Sequence, residues 1–149
     1  MGEVVNLAPQ DEPAREPSIF VLPANDLRGW TFAEPYLLRA LEHTDEWGID
    51  DVRDQYCGGK VGLILCMAGP GEVFGALCVE ITDYPKKRMM QVHLFGADDH
   101  SEADWLNYIW PQLQDLARTH GCGAIIGTGR DGWARKLGAK RRILWEVPL

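Results

Sequence analysis

The chain has 149 residues and a mass of 16.7 kDa, with 46% hydrophobic and 25% charged side chains. That is the size and composition of one ordinary globular domain, and it excludes a disordered, collagenous or disulfide-dense chain. Fifteen basic against 22 acidic residues give a net charge of −7, which disfavours nucleic-acid binding through the overall field. The negative excess lies in residues 1–54, where 12 acidic side chains face 4 basic ones, while six of the basic residues crowd between Arg130 and Arg142.

The longest apolar run, Val61 to Gly69, is nine residues, about half of the ~20 that a membrane helix needs. The start, MGEVVN, lacks a basic segment followed by an apolar one, and Asn6 stands where a myristoylation signal has Ser or Thr. The expected location is therefore a virion or the cytoplasm, neither secreted nor in a membrane. Four cysteines, Cys57, Cys66, Cys78 and Cys122, form no CxxC motif and are expected to be reduced, with Cys66 and Cys78 as small buried hydrophobes.

In chain order, Met1 to Pro17 carries Pro9, Pro13 and Pro17 and no apolar periodicity, so it is expected to be an extended arm ahead of a single domain over 18–149. Ser18 to Pro23 begins that domain as a short strand. Thr31 and Glu34 have capping-box spacing and predict a helix opening at Thr31, with Leu37, Leu38 and Leu41 buried. Ile49, Val52 and Tyr56 predict a second helix, stopped at Gly58 and Gly59. Val61–Met67 and Val73–Tyr84 flank a Gly-Pro-Gly turn and read as a hairpin, which Met89–Phe95 extends into an antiparallel meander. Strict alternation places Val73, Leu77, Val79 and Ile81 on one face of the second strand and Phe74, Ala76, Cys78 and Glu80 on the other; in the third, Met90, Val92 and Leu94 oppose Gln91 and His93.

Ser101–His120 is the strongest helix, with Trp105, Ile109, Leu113 and Leu116 on one stripe and Pro111 expected to kink or split it. Ala124–Gly127 follows as a strand parallel to Met89–Phe95, then a short helix Trp133–Leu137 and a last strand Arg142–Val147. Six tryptophans are many for this length. Trp47 and Trp110 fall off the apolar stripes and are expected at interfaces.

This order of elements, together with Trp133-Ala-Arg-Lys-Leu-Gly-Ala139, resembles the GCN5-related N-acetyltransferase (GNAT) fold over about residues 18–149. The resemblance implies an α/β (α+β) architecture, a mostly antiparallel mixed sheet of about six strands flanked by helices. Glu80, Asp83, Tyr84 and Pro85, then Trp105, Gly121 and Cys122, then Gly129, Arg130, Gly132, Trp133, Arg135 and Leu137 resemble motifs of small GNAT-like proteins from phage and prophage late gene modules.

Against the family pattern, the segment Phe95 to Asp104 has only Gly96 where a glycine-rich coenzyme A loop is implied, and Asp98, Asp99, Glu102 and Asp104 oppose a pyrophosphate. Ala134 stands where active members place a tyrosine acid. The expected function is accordingly a virion or virion-assembly protein of a phage, without standard acyl-CoA chemistry and with no cofactor, acting through contacts with other phage structural proteins or a host protein. The alternative is an atypical acyl-CoA-dependent N-acyltransferase acting on a protein or small amine. There, Glu80 or His93 serves as general base, and Gly96, Arg130 and Arg135 contact the coenzyme. The acidic cluster at 98–104 matches neither EF-hand nor HExxH spacing, so no metal is expected.

Overall fold

The computed structural model describes residues 16–129 and 131–149, so all of the expected arm but Glu16 and Pro17, and the candidate Arg130, lie outside the described residues. Five strands form one sheet in the order β1 (Ser18–Val21), β2 (Gly62–Gly69), β3 (Glu72–Tyr84), β4 (Lys87–Ala97) and β5 (Ala124–Gly127). Neighbours are antiparallel except β4 and β5, which run parallel. Hairpin turns join β2 to β3 and β3 to β4, two helices lie between β1 and β2, and β5 is reached by a helical crossover, as parallel pairing requires. Among the described residues no helix is long and apolar enough to cross a membrane.

The helices α1 (Leu27–Leu41) and α2 (Ile49–Cys57) cover one face of the sheet. Trp30, Ala33, Leu37, Val52 and Tyr56 meet Leu63, Leu65, Ala76, Cys78 and Leu94 there. On the other face lies α3 (residues 102–119), whose Trp105, Ile109, Leu113 and Ala117 pack on Ile64, Cys66, Phe74, Leu77, Val79 and Met90. A short helix α4 (Asp131–Lys136) follows β5.

The first helix starts earlier than its Thr31–Glu34 spacing implies. Asp26 caps it, its Oδ1 accepting from the amides of Arg28 and Gly29, both at 3.1 Å. Thr31 and Glu34 lie inside the helix, where the hydroxyl donates to the Arg28 carbonyl and the carboxylate accepts from the Trp30 indole N–H. Tyr56 decides the earlier start: its hydroxyl donates to the Pro23 carbonyl and accepts from the Asp26 amide at 2.9 Å, holding the turn before the cap.

Pro111 splits α3 as expected, and the form of the split is specific. An α-helical turn, Glu102–Asp104, leads into a π-helical stretch, Trp105–Ile109, and the regular helix Trp110–Thr119 resumes with Pro111 in its first turn. Proline has no N–H for an interior helical bond, and the wider π turn absorbs the mismatch.

Two β-bulges change which side chains share a face. Cys66 pairs with Gly75 and Met67 with Val73, so Phe74 is an extra residue in β3 and joins Leu77 and Val79, while Val73 packs with Ala76 and Cys78. Similarly, Cys78 pairs with Leu94 and Val79 with Val92, which leaves His93 extra in β4. Met90 and Val92 therefore face α3, and Leu94 faces α1 and α2.

The expected sixth strand, Arg142–Val147, does not form. Residues 139–149 hold no helix or strand, and Ile143, Leu144 and Trp145 are at least 80% exposed. Apolar, β-prone residues supply the propensity for a strand, but a ladder also needs pairing, and this segment pairs with neither edge strand, β1 nor β5. Trp47 and Trp110 are half-buried, packed against the first and the second core respectively.

Replacing Tyr56 by Phe should lower the melting temperature by about 1–6 °C, because losing the hydroxyl removes the partner of a part-buried amide and carbonyl at a cost of roughly 0.5–1.5 kcal/mol. Thermal unfolding followed by circular dichroism checks this. An unchanged midpoint contradicts the role given to the hydroxyl.

Candidate functional site

The most distinctive polar contact in the molecule lies at the His93 bulge. Side chains alternate along β3, so Glu80 lies on the face of Ala76 and Cys78. Alternation from Met90 and Val92 places His93 on that same face, the bulge adds Leu94 to it, and His93 Nε2 lies 2.8 Å from Glu80 Oε1. These side chains are only 15% and 24% exposed. The indole of Trp47, from the loop joining α1 and α2, packs against the imidazole with ring centroids 5.0 Å apart. Arg88 does not compete for Glu80, since it is engaged with Asp83 at 2.6 Å.

With Glu80 ionised, the hydrogen bond places the imidazole proton on Nε2 and leaves Nδ1 as the basic nitrogen. A carboxylate that fixes the tautomer and orientation of an imidazole is the arrangement used for general-base catalysis.

Beside this pair the sheet opens. Pairing between β4 and β5 runs from Met89–Ala124 to Val92–Gly127 and stops, while β4 continues to Ala97. Among the described residues no strand covers the β5 side of residues 93–97. Below the opening lies a groove of about 290 Å³ lined by Phe95, Trp105 and Trp133, by Asp98, His100 and Ser101 of the loop after β4, and by Glu102 of α3. Phe95 stacks on Trp105 at 4.2 Å, and Trp133 meets Trp105 edge-on at 6.4 Å.

Gly96, expected at a coenzyme loop, has a packing reason for being glycine. A Cβ there would stand 2.1 Å from the main-chain oxygen of Tyr36, so α1 presses directly on the end of β4. The Tyr36 hydroxyl donates to the Val73 carbonyl at 3.0 Å and ties the same helix to β3. Burial, reinforced by the charge of Asp98, pushes the Tyr36 phenol up from its ordinary pKa, so it stays protonated.

The acids after β4 are not the uncompensated cluster that their spacing implies. Arg39 of α1 donates to the Ala97 carbonyl at 2.7 Å and lies 4.0 Å from Asp98, and Lys136 of α4 is paired with Glu102. Neither cation was visible as a partner in the sequence, because they lie 59 and 34 positions away from their acids. Arg135 is exposed on α4, and Lys136 is the cation that α4 brings to α3. No group of three or more metal-ligating side chains occurs among the described residues. Cys66 and Cys78 are free and buried, and burial pushes both thiols up to about 12, which makes them inert.

Three solved structures place this architecture. An aminoglycoside acetyltransferase from an uncultured soil metagenomic sample, in complex with sisomicin, matches with a TM-score of 0.66 at 11% identity, over 89% of this chain and 95% of that one. A probable acetyltransferase matches with a TM-score of 0.67 at 9% identity, over 88% and 97%. The ribosomal-protein-alanine N-acetyltransferase of Brucella melitensis biovar Abortus 2308 matches with a TM-score of 0.62 at 12% identity, over 89% and 97%. The fold is GNAT-like. No family model matches the chain, and no curated protein sequence does.

These matches overturn the expectation of a non-catalytic phage virion or virion-assembly protein. These three proteins share the GNAT-like fold over nearly their whole length and are named as acetyltransferases, which favours the acyl-transfer alternative. The motif likeness to phage and prophage proteins gains nothing from them.

Gly96→Ala should destabilise the GNAT-like domain by about 1–3 kcal/mol, a drop of roughly 3–10 °C in melting temperature, because backbone rather than a flexible side chain blocks the new methyl. A variant that melts with the wild type shows that α1 can withdraw from β4 at no cost.

Proposed function

We propose that this protein is an acyl-CoA-dependent N-acyltransferase, in which His93 is the general base and Glu80 the residue that orients it. The observation that carries the reading is the Glu80–His93 contact of 2.8 Å beneath Trp47, beside the open edge of β4.

An amine attacks a thioester only as the free base. His93 Nδ1 takes a proton from the incoming ammonium, the nitrogen bonds to the thioester carbonyl carbon, and the carbon–sulfur bond breaks; the excess proton on the acylated nitrogen passes to the departing thiolate, leaving amide and free thiol. General-base assistance of this kind contributes about 10²–10⁴-fold. A thiolate is a far weaker base than an alkoxide or an amide anion and leaves without a strong acid beside it, so Ala134 in place of a tyrosine does not stop the reaction.

Acyl-coenzyme A consists of an arm rich in amides, ending in a pyrophosphate and a nucleotide, and it supplies the activated thioester. The free edge of β4 over residues 93–97 suits the arm, because main-chain groups without a strand partner can bond to an extended amide chain. Phe95, Trp105 and Trp133 suit its apolar portions. Arg39 and Lys136 are the cations positioned for its phosphates.

The acceptor side is acidic. Glu42, Asp45, Glu46, Asp50, Asp51 and Asp54 surround Trp47 in sequence, against the single base Arg53. This charge attracts a cationic amine, the chemistry of a polyamine, an aminoglycoside or a basic protein terminus.

Acetyl-CoA at about 100 times its dissociation constant should add about 2.7 kcal/mol to stability and raise the melting temperature by roughly 5–10 °C. Acetyl transfer to spermidine, sisomicin and a basic peptide then identifies the acceptor class, and Glu80→Gln and His93→Asn should each reduce kcat/KM by about 10²-fold or more. The absence of any thermal shift at millimolar acetyl-CoA overturns the reading. Full activity in the His93→Asn variant removes the base assignment alone.

A further inference from the structure

The groove lined by Phe95, Trp105 and Trp133 has at its rim an acid, Glu102, that is ion-paired to an element far away in sequence. Lys136, on α4, joins its ammonium to the carboxylate of Glu102, in the first turn of α3 and itself part of the groove lining. The same ammonium lies 5.5 Å from the centre of the Trp133 ring. The pair therefore ties the segment after β5 to the segment after β4, across the wedge where those two strands part.

We infer that the Glu102–Lys136 pair is a displaceable strap over the coenzyme groove, with Lys136 the cation that takes a coenzyme phosphate when Glu102 is displaced. The inference rests on the acyl-CoA reading and specifies how that ligand gains access. Three observations carry it. Both side chains are about half exposed, at 47% for Lys136 and 50% for Glu102, and ion pairs at that exposure are weak and readily exchanged. A phosphate offers an ammonium more negative charge and more acceptor oxygens than a carboxylate does, so exchange of partners is favoured. Third, the indole N–H of Trp105, a groove-lining residue only 5% exposed, has no acceptor among the described residues. An unpaired buried donor is costly, and an acceptor brought by a ligand relieves that cost. The strap thus makes Glu102 a competitor of the coenzyme: it holds the site's cation and adds a like charge beside the incoming phosphates.

Calorimetric titration of the wild type, Glu102→Gln, Lys136→Met and the double variant tests this, using coenzyme A and, as a probe without phosphate on the same arm beyond its hydroxyl end, pantetheine. Glu102→Gln should bind coenzyme A roughly tenfold more tightly, since a like charge leaves and the ammonium is freed. Lys136→Met should weaken coenzyme A binding, and by more in the Glu102→Gln background than in the wild type. Pantetheine affinity should stay the same in all four proteins. Melting temperatures within a few degrees of the wild type establish that each variant is folded.

Coenzyme A bound by the wild type with equal or lower affinity in Glu102→Gln overturns the strap and leaves the acyltransferase standing. Pantetheine responding as coenzyme A does also overturns it, because the effect is then not on phosphate. Failure of all four proteins to bind coenzyme A overturns the acyl-CoA reading and this inference together.

Discussion

One inserted residue in β4 organises the candidate site. Without His93 as the extra member of the β3–β4 ladder, strict alternation would put Leu94 beside Met90 and Val92 under α3, and the sheet would have no reason to change face. With it, Leu94 joins His93 on the α1–α2 side, where the imidazole meets the carboxylate of Glu80. A bulge also interrupts pairing and increases local twist. It sits where β4 leaves β5, so the change of face and the opening of the sheet occur at the same step of the chain.

The remaining architecture holds that step in place from both sides. From above, α1 lies so close to the end of β4 that only a glycine fits at position 96, and Trp47 leans on the imidazole from the loop after α1. From below, α3 reaches the groove through its π-helical stretch, which carries Trp105 to stack on Phe95. Pro111 occupies the first turn of the regular helix that follows, so the irregular segment lies where the groove needs its aromatic wall. Core packing and site geometry are here one set of contacts, because the same β4 residues serve both.

Electrostatics follow a similar economy. The acids that follow β4 look hostile to any anion in one dimension, yet two of them face cations brought in by other elements, Arg39 from α1 and Lys136 from α4. These pairs are exposed enough to be exchanged rather than fixed, which leaves the region able to receive a charged ligand and still keep its carboxylates compensated in the meantime. The net charge of −7 therefore says little about this groove and more about the acidic flank around Trp47.

Local patterning carried the element order. Apolar spacing located both helices on the α1–α2 face, the three long strands and α3, and the residue types at Glu80 and His93 made that pair nameable before any contact was visible. Propensity alone also proposed a strand over 142–147 and a helix start at Thr31, and both failed because a ladder partner and the grip of Tyr56 on Asp26 are properties of neighbours, not of the segment. Tertiary structure decided the rest: a bulge depends on how two strands count against each other, Trp47 reaches His93 from 46 positions away, and Lys136 reaches Glu102 from 34. The sequence by itself determined which residues could do chemistry and in what order the elements come. Only the folded chain decided which of them meet, because a side-chain period is local while register, face and charge pairing are set by what packs alongside.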